Sequence, residues 1–196
     1  MPVWEWILIV AVVIAVAIGL VAWISANKRK RTQRLQQRFG PEYERTVAET
    51  GEQRAAEKEL AARERKRDKL DIRPLSSAAL ETFSGRWRAV QTAFVDSPSS
   101  ALGDADRLVT EVMRERGYPV DDFDQRASDI SVDHPTVVED YRAAHDIFEL
   151  QHHGAVGTEE QRQAFVHYRG LFAKLLDPGD GRKPQQDNNT TQEASS

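Results

Sequence analysis

His145, Glu149, His152 and His167, all in the C-terminal half, are of the residue types that bind metal ions or move protons. His145, Glu149 and His152 follow one another at steps of four and three, which puts them on one face of a helix, and His153 is adjacent. Imidazole and carboxylate at such spacing could hold zinc or another divalent ion, with His167 as a fourth ligand or a general base. The plainer reading is a set of boundary histidines near a helix end, where cations are welcome. No recognised full motif stands behind the four, so we expect no metal, no cofactor and no catalytic residue. A metal-binding or hydrolytic helical domain built on His145, Glu149, His152 and His167 is the rival reading.

Little else in the chain invites catalysis. Cysteine is absent, which removes thiol nucleophiles and disulfides, and no Gly-rich loop joins a strand to a helix. Asp121, Asp122 and Asp124 lack the glycine and terminal glutamate of a calcium loop and suit the N-terminus of a short helix instead. The run Arg63-Glu64-Arg65-Lys66-Arg67 has interspersed acid and no aromatic for base stacking, so nucleic acid is not expected as a partner.

All four candidates fall in segment 73–177, the only stretch able to build a sizeable core. Leu80, Phe83, Trp87, Val90 and Phe94 repeat at steps of three and four, one face of a helix begun near Ser76. Ser97-Pro98 opens the next helix, which buries Ala101, Ala105, Leu108, Val109 and Val112 and stops at Gly117. A short helical piece over 121–129 follows, then a helix begun at Asp133-His134-Pro135 that carries Val137, Tyr141, Ala144 and Phe148. Thr158 and Gln161 fit the spacing of a capping box for the last helix, with Ala164, Phe165, Tyr168, Leu171, Phe172 and Leu175 on its apolar face. No stretch alternates like a strand. The expected fold is all-α, a bundle of about four to five helices. Its aromatic residues read as core, and Trp87 and Tyr118 become a partner surface if they prove exposed.

Upstream, residues 7–24 (ILIVAVVIAVAIGLVAWI) carry no charge, amide or proline. At 1.5 Å per residue they make roughly 27 Å of helix, close to the hydrocarbon thickness of a bilayer, so a transmembrane helix is expected. Only Glu5 is charged before the run, whereas Lys28, Arg29, Lys30, Arg31, Arg34 and Arg38 follow it. Basic flanks stay cytoplasmic, so residues 1–6 should lie outside and the rest inside, in a single pass through the cell membrane. A cleaved signal peptide ending near Ala26 is the competing reading, although the n-region is not positive. Ala11, Ala15 and Gly19 recur every four residues and suggest a homodimer through close helix approach. The basic segment 25–40 also suits anionic lipid, which gives a second alternative: a lipid-surface sensor working through residues 28–38.

Segment 41–72 is rich in Glu, Arg, Lys, Ala and Gln, with sparse large apolar residues in no heptad register. It reads as a solvated, charged helical stalk. Residues 178–196 are polar and contain no large apolar side chain, so a disordered tail is expected. Charge divides along the chain. Residues 1–75 hold 15 basic and 10 acidic groups, and residues 76–177 hold 10 basic and 18 acidic, a net −8 that should repel phosphate backbones.

The run Arg38-Phe39-Gly40-Pro41-Glu42-Tyr43, the segment Arg86-Trp87-Arg88-Ala89-Val90-Gln91 and the stretch EVMRERGYP at 111–119 resemble an uncharacterised family of single-pass, membrane-anchored helical proteins of high-GC Gram-positive bacteria. The resemblance runs from the membrane segment to about Leu176. It implies a bacterial inner membrane and brings no activity, cofactor or catalytic residue. The expectation is therefore a membrane-tethered interaction or scaffold module with an unknown protein partner.

Overall fold

A computed structural model describes residues 3–152, 154 and 156–177, without the side chains of 3, 5–15, 17, 21, 24 and 152. Eight helices follow in order: α1 (Val3–Phe39), α2 (Pro41–Thr50), α3 (Gln53–Arg67), α4 (Ser77–Asp96), α5 (Pro98–Arg116), α6 (Phe123–Asp133), α7 (Val138–His152) and α8 (Thr158–Leu175). No strand occurs among the described residues. The chain forms two compact units, Met1–Arg65 and Lys66–Ser196. Among the described residues no helix is long and apolar enough to cross a membrane. The span expected at 7–24 falls largely on side chains outside the described residues, as do Ala11 and Ala15; the expected tail at 178–196 lies outside them altogether.

The first unit corrects the picture of a solvated stalk. Gly40, at φ 49°, lets the chain reverse after α1, and Pro41 opens α2, where a missing N–H costs nothing. Gly51, at φ 69°, closes α2 and donates its N–H to the Val47 carbonyl at 3.0 Å. Thr32 on α1 bonds Glu57 on α3, and Arg38 pairs with Glu64, so α3 runs parallel to the end of α1, and α2 is tied to α3 through Tyr43 with Glu57 and Glu42 with Arg63. Leu35 and Phe39 on α1, Tyr43 on α2, and Ala56 and Leu60 on α3 are each 3% exposed or less. Five apolar positions scattered over three helices leave no heptad, which is why the sequence looked solvated.

The second unit is a five-helix bundle, α4 to α8. Helix α5 packs against α4, α7 and α8, and α6 packs against α7. Its Ala101, Leu102, Ala105, Leu108, Val109, Val112 and Met113 are all essentially buried, more than one face of the helix. The Trp87 ring of α4 stacks on Phe165 and Phe172 of α8, with centroids 5.2 and 4.5 Å apart. Such contacts add to the area that the ring removes from water. Gly117 ends α5 at φ 95°, and a β-carbon there would meet the Asp71 carbonyl oxygen at 2.5 Å. The close approach lets Arg73 donate its backbone N–H to the Arg116 carbonyl at 2.9 Å.

Four boundaries differ from expectation. The short helix does not end at 129 but continues to Asp133, because Ile130 and Val132 are buried in the next turn. His134 therefore caps α6, and α7 begins only at Val138. The capping residue of α8 is Gly157 and not Thr158: Glu160 reaches back to accept the Gly157 N–H at 2.5 Å. The unit boundary also precedes residue 73, since Lys66 and Arg67 pair with Asp129 and Asp133 of α6.

Candidate functional site

Helices α5, α6 and α7 fix His145. Its ring lies parallel on Phe123, with centroids 3.6 Å apart. Nδ1 is 3.7 Å from the Asp106 carboxylate and Nε2 is 3.8 Å from Glu149, both beyond hydrogen-bond length. His167 turns to a different carboxylate, with Nδ1 3.1 Å from Asp140. The side chain of His152 lies outside the described residues. The structure thus brings His145 to Asp106 and Glu149 and gives His167 to Asp140. Among the described residues no group of three His, Asp or Glu side chains is arranged to hold a metal ion.

Asp106 also accepts the Tyr168 hydroxyl at 2.9 Å, so one carboxylate stands beside both His145 and Tyr168. Burial, and then the Asp106 charge, push the Tyr168 phenol far above its ordinary value, which keeps it protonated. Burial likewise raises Tyr141 to about 12, even though Arg126 donates to its oxygen at 3.2 Å.

Trp87 and Tyr118, expected as a partner surface if exposed, are 6% and 3% exposed and belong to the core. Tyr118 donates its hydroxyl to Asp133 at 2.6 Å, and the same carboxylate takes the Arg67 Nε at 2.8 Å. Arg116 is fully buried; its guanidinium donates to the carbonyls of Arg73 and Leu175, closing the segment before α4 onto the end of α8. Carbonyls at a helix end carry partial negative charge, which suits a buried cation. These charged groups are structural.

The six basic residues expected at the membrane surface divide in the first unit. Arg38 and Arg34 both turn to Glu64, at 3.0 and 3.5 Å. Lys28 and Arg31 instead line a groove of about 500 Å³. The opposite wall is the start of α3, which contributes Arg54 and Lys58. Arg29 borders a smaller adjoining hollow, and Lys30 is exposed.

Glu57 is the acidic residue in the groove lining, and it is already engaged. It accepts Thr32 Oγ1 at 2.6 Å, Gln53 Nε2 at 3.0 Å and the Tyr43 hydroxyl at 3.3 Å. Burial works to raise its pKa, but these hydrogen bonds and the Arg31 charge outweigh it and hold the carboxyl below the usual range. The four cations of the groove have no carboxylate within ion-pair distance among the described residues. Arg54 and Lys58 are missed when the sequence is read linearly, because they join the basic cluster only once α3 lies parallel to α1. Their spacing of four residues on α3 was the available signal.

No family model, curated protein or solved structure matches the chain.

Proposed function

We propose that this chain is a membrane-tethered interaction or scaffold module that presents a cytoplasmic helical body to a protein partner. The observation that carries the reading is the continuity of α1. One helix of 37 residues, about 55 Å at the standard rise, includes the uncharged run 7–24 and ends in the tied three-helix unit. Lipid lets a helix satisfy its own backbone, and the cations after residue 27 favour the cytoplasmic side for everything downstream. The bundle supports a binding role over chemistry because its titratable side chains serve internal contacts: Asp133 with Arg67 and Tyr118, Asp106 with Tyr168, His167 with Asp140. We extend the proposal to a bacterial inner membrane, through the likeness of residues 38–43, 86–91 and 111–119 to the single-pass family.

Alkaline extraction of membranes, together with a reporter at the C-terminus, tests the tether. Retention in the pellet with an internal reporter is the expected result; release into the supernatant or an external reporter would overturn it. Crosslinking in native membranes then tests the scaffold role, with one recurrent protein adduct on the bundle as the expected outcome. A turnover activity that survives purification and depends on His145 or His167 would overturn the non-catalytic reading.

A further inference from the structure

The groove in the first unit is shaped and charged for an anionic head group. Lys28 and Arg31 stand three residues apart on α1, and Arg54 and Lys58 four apart on α3, so each pair occupies one helix face. Four cations facing one engaged carboxylate leave a net +3 in the lining. A volume of about 500 Å³ is in the range of small-molecule sites and leaves most of the space empty around a lone phosphate. Thr32 and Gln53 add polar side chains beside the cations.

Position selects the source of the phosphate. Lys28 lies four residues after Ile24, the last of the uncharged run, about 6 Å farther along the helix. Thr32 is level with Glu57, so Lys28 is level with Gln53, and the start of α3 stands beside the same turn of α1. A groove at that height faces the head-group layer of a bilayer that receives residues 7–24, and basic pockets on the cytoplasmic side of membrane helices suit anionic lipid.

We propose that the groove formed by Lys28, Arg31, Arg54 and Lys58 binds the phosphate-bearing head group of an anionic phospholipid. This inference rests on the membrane tether proposed above. Two walls from separate helices clamp one head group, so occupancy fixes α3 against α1 and couples lipid composition to the fold of the first unit. Lys28 and Arg31 do not act alone as a smear of positive charge; Arg54 and Lys58 complete the site.

The test uses the full chain in nanodiscs containing phosphatidylcholine and phosphatidylglycerol, with the lipids retained per protein counted by native mass spectrometry. Wild type is expected to enrich phosphatidylglycerol over its bulk fraction. The double variant Arg54→Gln/Lys58→Gln should lower that selectivity at least about tenfold. The charge-matched double variant Arg65→Gln/Lys69→Gln, outside the groove, should leave it near wild type. Equal losses in both double variants, or none in the first, would overturn the site. Millimolar inorganic phosphate or glycerol phosphate that displaces the retained lipid would overturn the choice of a lipid source. Incorporation into pure phosphatidylcholine nanodiscs reports the tether separately: a chain that enters them but shows no selectivity in the mixed discs keeps the tether and loses the head-group site. A chain that enters no nanodisc loses both.

Discussion

The three-helix unit and the bundle hold helices together with different materials. In the first, Leu35, Phe39, Tyr43, Ala56 and Leu60 supply the buried apolar residues, and carboxylates do the cross-linking: Glu42 to Arg63, Glu57 to Thr32, Glu64 to Arg38. In the second, twenty-one buried residues form one cluster, in which the Trp87 ring of α4 stacks on Phe165 and Phe172 of α8. Burial scales with apolar area and responds little to salt. Ion pairs near a surface weaken with salt, and carboxylates lose their role on protonation. The bundle should therefore persist while the three-helix unit follows ionic conditions, which suits the part that carries the proposed lipid groove.

The largest effect is expected from removing the indole that joins α4 to α8. Trp87→Ala should cost about 3–5 kcal/mol, from lost transfer energy and an unfilled cavity beside Phe165 and Phe172. Thermal unfolding in detergent micelles measures the loss. Hydrogen exchange at residues 35–60 should stay as in wild type, and a shared loss of protection would mean that the two units unfold as one.

An alkaline limb sharpens the same point for the bundle. Burial raises Tyr141 from 10 to about 12, so between those values the unfolded chain has lost a proton that the folded chain keeps. Stability then falls as pH rises, by about 1.4 kcal/mol per unit, or roughly 2–3 kcal/mol over the interval. The contribution is fully present below pH 10. Tyr141→Phe should flatten that part of the profile in denaturant titrations from pH 9 to 12, leaving the share of Tyr168, which is raised in the same direction.

Much of the bundle was legible because its cores are written locally. Leu80, Phe83, Trp87, Val90 and Phe94 repeat within α4, and Gly117, in the left-handed region that glycine adopts freely, marks the stop of α5. The first unit was not legible, since Leu35 and Leu60 meet their environment only after two reversals at Gly40 and Gly51. Pairs such as Arg67 with Asp133, 66 residues apart, leave no local trace. The histidine candidates show a different limit of linear spacing. His145 and His167 have ligand-like types, yet helix packing hands each to a separate carboxylate, Asp106 and Asp140. The groove was half visible, as Lys28 and Arg31, because its other wall depends on the direction in which α3 runs.

In the first unit, Glu42→Gln tests whether a charge-assisted tie matters more than the apolar contacts around it. Glu42 is 1% exposed and accepts Arg63 Nη1 at 2.6 Å. Neutralising it leaves the bond but removes the charge, at a cost of about 1–2 kcal/mol, softened because Arg63 also holds Glu59 at 2.5 Å. Hydrogen exchange at residues 41–65 should speed up accordingly, while the bundle amides remain protected.

Glu57 is held below its ordinary pKa, so the unfolded carboxyl takes up a proton before the folded one does. Its contribution to stability is therefore present above about pH 4.5 and is lost as pH falls through the lower, folded value. Acid should loosen residues 28–58, where Glu57 joins Thr32, Gln53 and Tyr43 across α1, α2 and α3, before it loosens the aromatic core. Glu57→Gln removes the titrating group: exchange rates in that segment should become less dependent on pH between 5 and 3, at a cost under about 1 kcal/mol at neutral pH. The same change raises the net charge of the groove, so retention of phosphatidylglycerol should rise in the variant. A variant that keeps the wild-type acid profile would mean that other carboxylates carry the limb. A variant that loses lipid would mean that Glu57 orders the groove more than it opposes the head group.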